Sequence, residues 1–278
     1  LNVNDEYRSS EIVNVRVFAE NRDRPVTFVR TPYEKKSEIF SQMYYSHIMG
    51  TVKTPSQKVR AERKCSMNLR KLLSKLNKRL ETTQINMANG TWADINFNKV
   101  TGPTLRVHKK AFQNITKNGV TRSSCEDRIA CANNFKNHVE EGIKGNVVVK
   151  GKMVDMYKLV KDACSASSQT EIDLVNGQWK DNSSINDDHT CNIIPMSDTS
   201  GSMEIDDNIP MYNSIGYGIR VSEKTHPNFR HRIMTFNDQP AWFQFNEHMT
   251  FYEKVQIMKN DTRWGGSTNF YKALEMIL

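Results

Sequence analysis

The hydrophobic positions between residues 55 and 83 follow a helical period. Leucines recur there at three- and four-residue steps, and most of the lysines and arginines fall between them. This spacing places the leucines on one side of an α-helix and the charges on the other. Pro55 is typical of the first turn of a helix. The pattern predicts an amphipathic helix with a basic outer face, whose leucines are Leu69, Leu72, Leu73, Leu76 and Leu80.

The remainder of the first 170 residues is also predicted to be mainly helical. Short apolar runs such as EIVNVRVFAE are strand-like or irregular, and the stretch EKKSEIFSQMYYSHIM is compatible with a helix. Further helices are predicted at about 104–116, 123–141 and 151–166, separated by glycine and proline. These segments form one predicted helical module, at residues 1–170.

A polar, turn-rich segment at residues 171–190 predicts a linker, and the pattern changes after it. Residues 191–278 alternate between strand-like and helical segments, with two strands joined by a tight Asn-Asp-Gln-Pro turn. Such alternation is typical of an α/β domain with a largely parallel sheet. The chain is therefore predicted to be an α+β multidomain protein with a helical module, a linker and an α/β domain at 191–278.

The positive charge of the chain is concentrated in one segment. The net charge is +8 and the isoelectric point is near 9.2. Residues 51–100 carry eleven basic and three acidic residues, an excess equal to that of the whole chain. This segment is either a surface for nucleic acid or another polyanion, or a solvated helix face. The candidate phosphate contacts are Arg70, Lys71, Lys75, Lys78 and Arg79.

Composition and cysteine spacing exclude several classes of protein. No apolar run approaches the roughly 18 residues of a membrane-spanning helix, and the first residues do not resemble a signal peptide. The five cysteines are odd in number and form no CxxC pair, so they are predicted to be buried thiols. The protein is predicted to be intracellular, not secreted, and without a membrane partner.

The stretch CNIIPMSDTSGSM carries the clearest candidate chemistry. Asp198, Ser200 and Ser202 alternate where the first predicted strand of the α/β domain ends, which is where ligands bind in open α/β sheets. One carboxylate and two hydroxyls form an oxygen-only set that suits Mg²⁺ or Mn²⁺. Because hydroxyls are neutral ligands, the ion would stay positive and attract an anionic group. The alternative is a serine-rich loop that caps the following helix.

These residues resemble the metal-ion-dependent adhesion site of von Willebrand factor A domains, whose first element is Asp-x-Ser-x-Ser after the first strand. The segment RWGGSTNFYKAL places Thr268 in a glycine-rich loop before a helix, like that family's second element. The resemblance implies a Rossmann-type domain of which residues 191–278 form the N-terminal part. That family's third element, an aspartate, would lie beyond Leu278, so the natural chain is expected to continue.

The resemblance extends into the helical half. Residues 69–114 are similar to an uncharacterised family shared by plants, fungi and giant DNA viruses, and the abundant Asn, Lys and Ile suggest a mimivirus-like origin. The same order of domains occurs in Ro autoantigens, which bind small RNAs. The aromatic residues of this segment are predicted to be core in preference to a base-stacking platform. The positions that carry the resemblance are Trp92, Ile95, Phe97, Asn98, Val100, Phe112, Gln178 and Trp179.

These observations predict a non-enzymatic binding protein. The adhesion-type site would hold Mg²⁺ or Mn²⁺ and engage an acidic protein ligand or a phosphate, and the basic module would bind RNA or DNA. The alternative is a structural virion or assembly protein that grips a partner's carboxylate through the metal, in the host cytoplasm or the virion. An enzyme is not expected, because metal-dependent phosphoryl transfer usually needs paired carboxylates and SDTSGS offers one.

Overall fold

The structure is a computed structural model that describes residues 32–183, 192–261 and 265–277. The described residues are mostly helical, with a small sheet near the C-terminal end, which places the protein in the α+β class. Within them, no helix combines the length and the apolar character needed to cross a bilayer. The strand-like runs predicted before residue 32 lie outside the described residues. The chain divides into two compact units, residues 1–95 and 96–278.

From residue 32 onward, where the structure describes it, the first unit contains four α-helices. They are α1 (Pro32–Tyr44), α2 (Ser46–Met49), α3 (Pro55–Arg79) and α4 (Thr83–Asn89), followed by a 3₁₀ turn at Trp92–Asp94. Helix α3 is the predicted amphipathic helix. Thr54 caps its first turn, because its hydroxyl accepts a hydrogen bond from Gln57 N and the Gln57 side chain accepts one from Thr54 N.

The buried side of α3 differs from the predicted leucine face at its C-terminal end. Ala61, Cys65 and Leu69 are buried, in agreement with the helical period. Leu76 and Leu80 are 44% and 68% exposed, because the helix ends at Arg79 and its last turn lies beyond the buried part. The predicted helix to residue 83 is therefore too long by one turn.

The second unit begins with four helices. They are α5 (Gly102–Phe112), α6 (Glu126–Lys144), α7 (Met156–Ser165) and α8 (Gln169–Ser183). Phe97, Phe112 and Phe135 are buried with ring centroids 5.2–5.6 Å apart. The prediction that Phe97 and Phe112 belong to the core is confirmed. Burial raises the pKa of the Cys131 and Cys164 thiols to about 11, as expected of unreactive cysteines. The prediction of buried thiols is wrong for Cys125, which is exposed.

Helix α8 contradicts part of the predicted linker. Residues 171–183 were expected to be a linker, but they are helical, and Leu174, Val175 and Trp179 are buried. The helix was missed because three other buried positions are polar. Glu171, Gln178 and Asn182 receive or donate hydrogen bonds inside the fold, so the segment looks solvated in the sequence. Residues 184–190 lie outside the described part.

In the residues of the second unit that the structure describes, a three-stranded sheet and three more α-helices follow. The strands are β1 (Met196–Asp198), β2 (Arg232–Phe236) and β3 (Ala241–Gln244), in the order β1-β2-β3. Strand β1 pairs parallel with β2, with Met196 opposite Met234, and β2 and β3 form the predicted antiparallel hairpin. The described strands thus form one parallel and one antiparallel pair, where a largely parallel sheet was predicted. The helices are α9 (Ile209–Lys224), α10 (Phe251–Lys259) and α11 (Phe270–Glu275).

One core joins the helices before the predicted linker to the strands after it. Helix α7 contributes Val160, α9 contributes Ile215, β2 contributes Ile233 and α10 contributes Val255, and all four side chains are fully buried in the same cluster. The second compact unit therefore includes α8, which covers residues 171–183 of the predicted linker, and the division of the chain falls at residue 95. The predicted boundary differs because α7 and α8 share the core of the sheet.

Candidate functional site

Three loops of the second unit meet where β1 and β2 end. The loop after β1 donates from Thr199 N to Phe236 O at 3.3 Å. The glycine-rich loop before α11 is joined to it twice, by Gly201 N to Gly266 O at 3.1 Å and by Gly265 N to Thr199 O at 2.9 Å. The resemblance to von Willebrand factor A domains implied that the first and third of these loops lie together, and their backbone hydrogen bonds place them side by side.

The three predicted ligands of the first loop lie within one turn of chain. Asp198 ends β1, and its Oδ1 accepts a hydrogen bond from Ser200 N at 2.9 Å. The hydroxyl oxygens of Ser200 and Ser202 are 3.0 Å apart. Ser200 is buried and Ser202 is exposed, so the pair reaches from the interior to the surface. The structure thus brings the two serine hydroxyls together, close in the chain to the aspartate that ends β1.

The capping alternative does not describe Ser200. This residue precedes the 3₁₀ turn Gly201–Glu204, yet its side chain makes no capping hydrogen bond to that turn. Its hydroxyl is instead engaged with that of Ser202. The Ser200 hydroxyl therefore lies beside a second oxygen and does not cap the 3₁₀ turn that follows it.

The separation of the two hydroxyls fits a small divalent cation. Mg²⁺ binds oxygens at about 2.0–2.1 Å in octahedral geometry, so adjacent ligands are about 2.9 Å apart. The observed 3.0 Å between Ser200 Oγ and Ser202 Oγ matches this spacing. Within the described residues, no group of three or more His, Cys, Asp or Glu side chains is placed to hold a metal. A cation site here would depend on hydroxyls together with Asp198.

Thr268 lies in the glycine-rich loop, between two residues that make backbone hydrogen bonds to other loops. Gly266 contacts the loop after β1, and Asn269 N donates to Asn237 O at 3.2 Å. Thr268 is exposed, and α11 begins two residues later, as the sequence predicted. The structure brings its loop to the loop that carries Asp198, Ser200 and Ser202.

Two residues of the hairpin turn, which the sequence did not identify, support the site. Asn237 is fully buried, and its Nδ2 donates to Thr199 Oγ1 at 3.0 Å. Asp238 Oδ1 accepts a hydrogen bond from Ser267 N at 3.0 Å and one from the Ser267 hydroxyl. The turn is formed by Asn237, whose Oδ1 accepts from Gln239 N. Asp238 instead links the hairpin to the glycine-rich loop.

Gly266 has no side chain where the three loops are closest. Its φ is +71°, and a Cβ placed on it would lie 2.0 Å from Asp238 Oδ2. Only glycine adopts this conformation at little cost and leaves room for the carboxylate. The GG pair of the sequence is thus explained by backbone geometry.

The basic candidates lie on α3, in the first unit. All five are exposed on this helix. At about 100° per residue, Lys71, Lys75 and Lys78 fall within about 60° of one another, while Arg70 and Arg79 lie on opposite sides of that arc. The predicted set is therefore divided, with three lysines on one face and an arginine on each flank.

Comparison with known proteins shows similarity to a family whose function is not established. Residues 192–278 match the family described as "Domain of unknown function (DUF7788)". The chain is also similar to an uncharacterised protein of Acanthamoeba polyphaga mimivirus, with 30% identity over 214 residues. That alignment covers 75% of this chain and 35% of the viral protein. No solved structure matches significantly. The likeness to a giant-virus family of unknown function is confirmed, and the likeness to von Willebrand factor A domains stays a prediction.

Proposed function

We propose that the protein is a non-enzymatic binding protein whose second unit captures an anionic group through a divalent cation. The observation that carries this proposal is the pair of hydroxyls, Ser200 and Ser202, held 3.0 Å apart beside Asp198 at the end of β1. Asp198, Ser200, Ser202 and Thr268 would hold Mg²⁺ or Mn²⁺ directly or through water. The bound ion would supply positive charge to which a ligand's carboxylate or phosphate could coordinate.

The surrounding fold supports an adhesion-type site of the von Willebrand factor A kind. The candidate ligands follow β1, which pairs parallel with β2, and ligands of parallel sheets bind beyond such strand ends. The hairpin, a helix and the glycine-rich loop then follow in that family's order. The backbone hydrogen bonds from Gly201 and Gly265 keep the two ligand-bearing loops together before any ion binds.

The balance of charge favours binding over catalysis. Asp198 is the carboxylate that adjoins the two hydroxyls, and three of the four proposed ligands are neutral. An ion held this way keeps most of its positive charge and attracts an acidic ligand. Asp238, the carboxylate of the hairpin turn, already accepts two hydrogen bonds from Ser267. Phosphoryl transfer usually uses paired carboxylates around a metal, and these loops do not present such a pair.

The first unit would supply a second, metal-independent contact. Its helix α3 carries an exposed series of lysines and arginines, and we propose that this face binds nucleic acid through phosphates. The expected mark is strong salt dependence, because each neutralised phosphate releases a counterion. Binding that is as tight at high salt as at low salt would contradict this half of the proposal.

The metal site is tested by calorimetry with Mg²⁺ and Mn²⁺ on the wild type and on Ser200→Ala. We expect the wild type to bind and Ser200→Ala to bind at least about tenfold more weakly, because a direct ligand is lost and its neighbour Ser202 loses its partner. Ser165→Ala, which removes an exposed hydroxyl of α7, is the matched control and should bind like the wild type. Equal affinity in all three proteins would exclude the serine hydroxyls as ligands.

A further inference from the structure

The lysines that share a face of α3 belong to a longer row of basic residues. Taking about 100° per residue, Arg60 and Lys64 fall in the same 60° arc, roughly, as Lys71, Lys75 and Lys78. All of these side chains are exposed. We call this row the basic stripe, and its members are Arg60, Lys64, Lys71, Lys75 and Lys78.

The dimensions of the basic stripe fit a straight, stiff polyanion. From Arg60 to Lys78 the helix rises about 27 Å, so the five charges are spaced about 7 Å apart on average. Along a duplex axis, one strand places a phosphate about every 3.4 Å, so the stripe offers one cation for about two phosphates. A duplex stays nearly straight over this length, because its persistence length is about 50 nm. A duplex that stays straight over this length can therefore present phosphates of both of its strands along the stripe.

Helix α3 lacks the side chains that bind single strands. Proteins that bind single-stranded nucleic acid stack successive bases on aromatic rings. The sequence of α3, PSQKVRAERKCSMNLRKLLSKLNKR, contains no Phe, Tyr or Trp. Its surface offers phosphate contacts without a base platform. This composition favours a duplex, whose bases are already stacked.

The buried residues of α3 are not available to a lipid bilayer. A basic helix that lies on a membrane inserts a continuous apolar face among the acyl chains. Here Ala61, Cys65 and Leu69, beside the stripe on one flank, are buried within the protein. The exposed apolar residues of α3 are single side chains in separate turns or at its C-terminal end, among them Val59, Met67 and Leu80.

We propose that the basic stripe binds double-stranded nucleic acid through its phosphates, without sequence specificity and without the metal. The inference rests on the proposed nucleic-acid role of the first unit and assigns it a ligand and a face. It adds Arg60 and Lys64 to the contacts and moves Arg70 and Arg79 to the flanks. Lysine and arginine contacts to phosphate position a protein without selecting a base sequence.

The test measures binding of a labelled 20-base-pair duplex by fluorescence anisotropy at several salt concentrations. Five phosphate contacts predict a slope of log affinity against log salt of about −4.5 for the wild type. A stripe variant carries Lys64→Gln, Lys71→Gln and Lys75→Gln. The control carries Lys53→Gln, Lys58→Gln and Arg63→Gln, which remove the same charge from exposed positions of the first unit outside the stripe.

We expect the stripe variant to have a slope of about −1.8 and to lose about 100-fold or more in affinity at 0.1 M salt. The control should keep the wild-type slope. Equal losses in the two triple variants would overturn the assignment of the face. A 20-nucleotide single strand bound as tightly as the duplex would overturn the duplex assignment but leave the nucleic-acid role intact.

Further binding measurements distinguish the inference about the stripe from the proposed nucleic-acid role and from the proposed metal site. Anionic lipid vesicles that bind more tightly than the duplex, with the same dependence on the stripe, would overturn the inference in favour of a membrane. Failure to bind any nucleic acid at 50 mM salt would overturn both the inference and the nucleic-acid role. Asp198→Ala should leave duplex binding unchanged, and a loss there would contradict a contact that is independent of the metal site.

Discussion

At the scale of single residues, His138 on α6 is a titratable group placed where its charge is disfavoured. It is 9% exposed, and its ring lies 5.9 Å from that of Phe97. Its Nε2 has no hydrogen-bond partner among the described residues. Burial, and secondarily the positive charge of Lys150, lower the pKa of His138 below its ordinary value of 6.5. The folded protein therefore holds this histidine neutral.

This arrangement predicts that acid destabilises the protein in part through His138. At pH 7.5 the residue is neutral in both the folded and the unfolded chain. Below pH 6.5 the unfolded chain binds a proton that the folded chain does not, so the free energy of unfolding falls by about 1.4 kcal/mol per pH unit until the lowered pKa is reached. We expect urea midpoints measured from pH 7.5 to 5 to decline less steeply for His138→Phe than for the wild type. His248→Phe, at an exposed position, is the control. Identical pH profiles for wild type and His138→Phe would contradict the assignment.

At the scale of elements, α8, α9 and α10 are joined by one polar and aromatic cluster. Trp179 stacks on Phe251 with ring centroids 3.8 Å apart, and its Nε1 donates to Glu223 Oε2 at 3.0 Å. The other oxygen of Glu223 accepts from Lys254 Nζ at 2.7 Å. Arg220 covers the Trp179 ring at 4.2 Å. Glu223 therefore holds the tryptophan of α8 and the lysine of α10 from its place on α9.

The ion pair in this cluster predicts an asymmetric response to substitution. The Lys254 side chain is 4% exposed, so Glu223→Gln leaves a buried ammonium without its counter-ion. We expect the free energy of unfolding to fall by about 3 kcal/mol. Adding Lys254→Met removes the unpaired charge and should recover most of that loss, because the two sites are coupled. Urea denaturation of the wild type, both single variants and the double variant measures this coupling. Strictly additive effects would show that the pair does not stabilise the fold as a unit.

The same elements show what a sequence can and cannot reveal. Helix α3 was predictable because apolar residues repeat along it, whereas α8 was hidden because Gln178 and Asn182 are buried through hydrogen bonds to backbone carbonyls. The alternation of residues within SDTSGS was enough to predict that the two serine hydroxyls lie close together. The support from Asn237 could not be predicted, because it depends on how the β2–β3 turn folds back onto Thr199.

At the scale of the whole molecule, the core decides which part of the chain can fold as a unit. Residues 96–278 bury Leu159 and Val160 of α7 against side chains that come after residue 190, among them Ile215 and Ile219 of α9. A fragment that ends at residue 170 keeps α7 but lacks the helices and strands that cover it. The exposed apolar surface would then favour aggregation. The core cluster of the second unit lies within residues 154–258.

Two fragments of the protein therefore have opposite predicted behaviour. Residues 96–278 should unfold cooperatively in urea and bind Mg²⁺ as the whole chain does, because they contain the core and all three site loops. Residues 1–170, which correspond to the helical module predicted from the sequence, should aggregate or bind the dye ANS, because α7 has lost its covering. Circular dichroism, ANS fluorescence and size-exclusion chromatography distinguish the two states. If 1–170 were monomeric with a sharp unfolding transition and 96–278 were not, the boundary would lie at the polar segment after all, and Trp179 would have to be dispensable for the core.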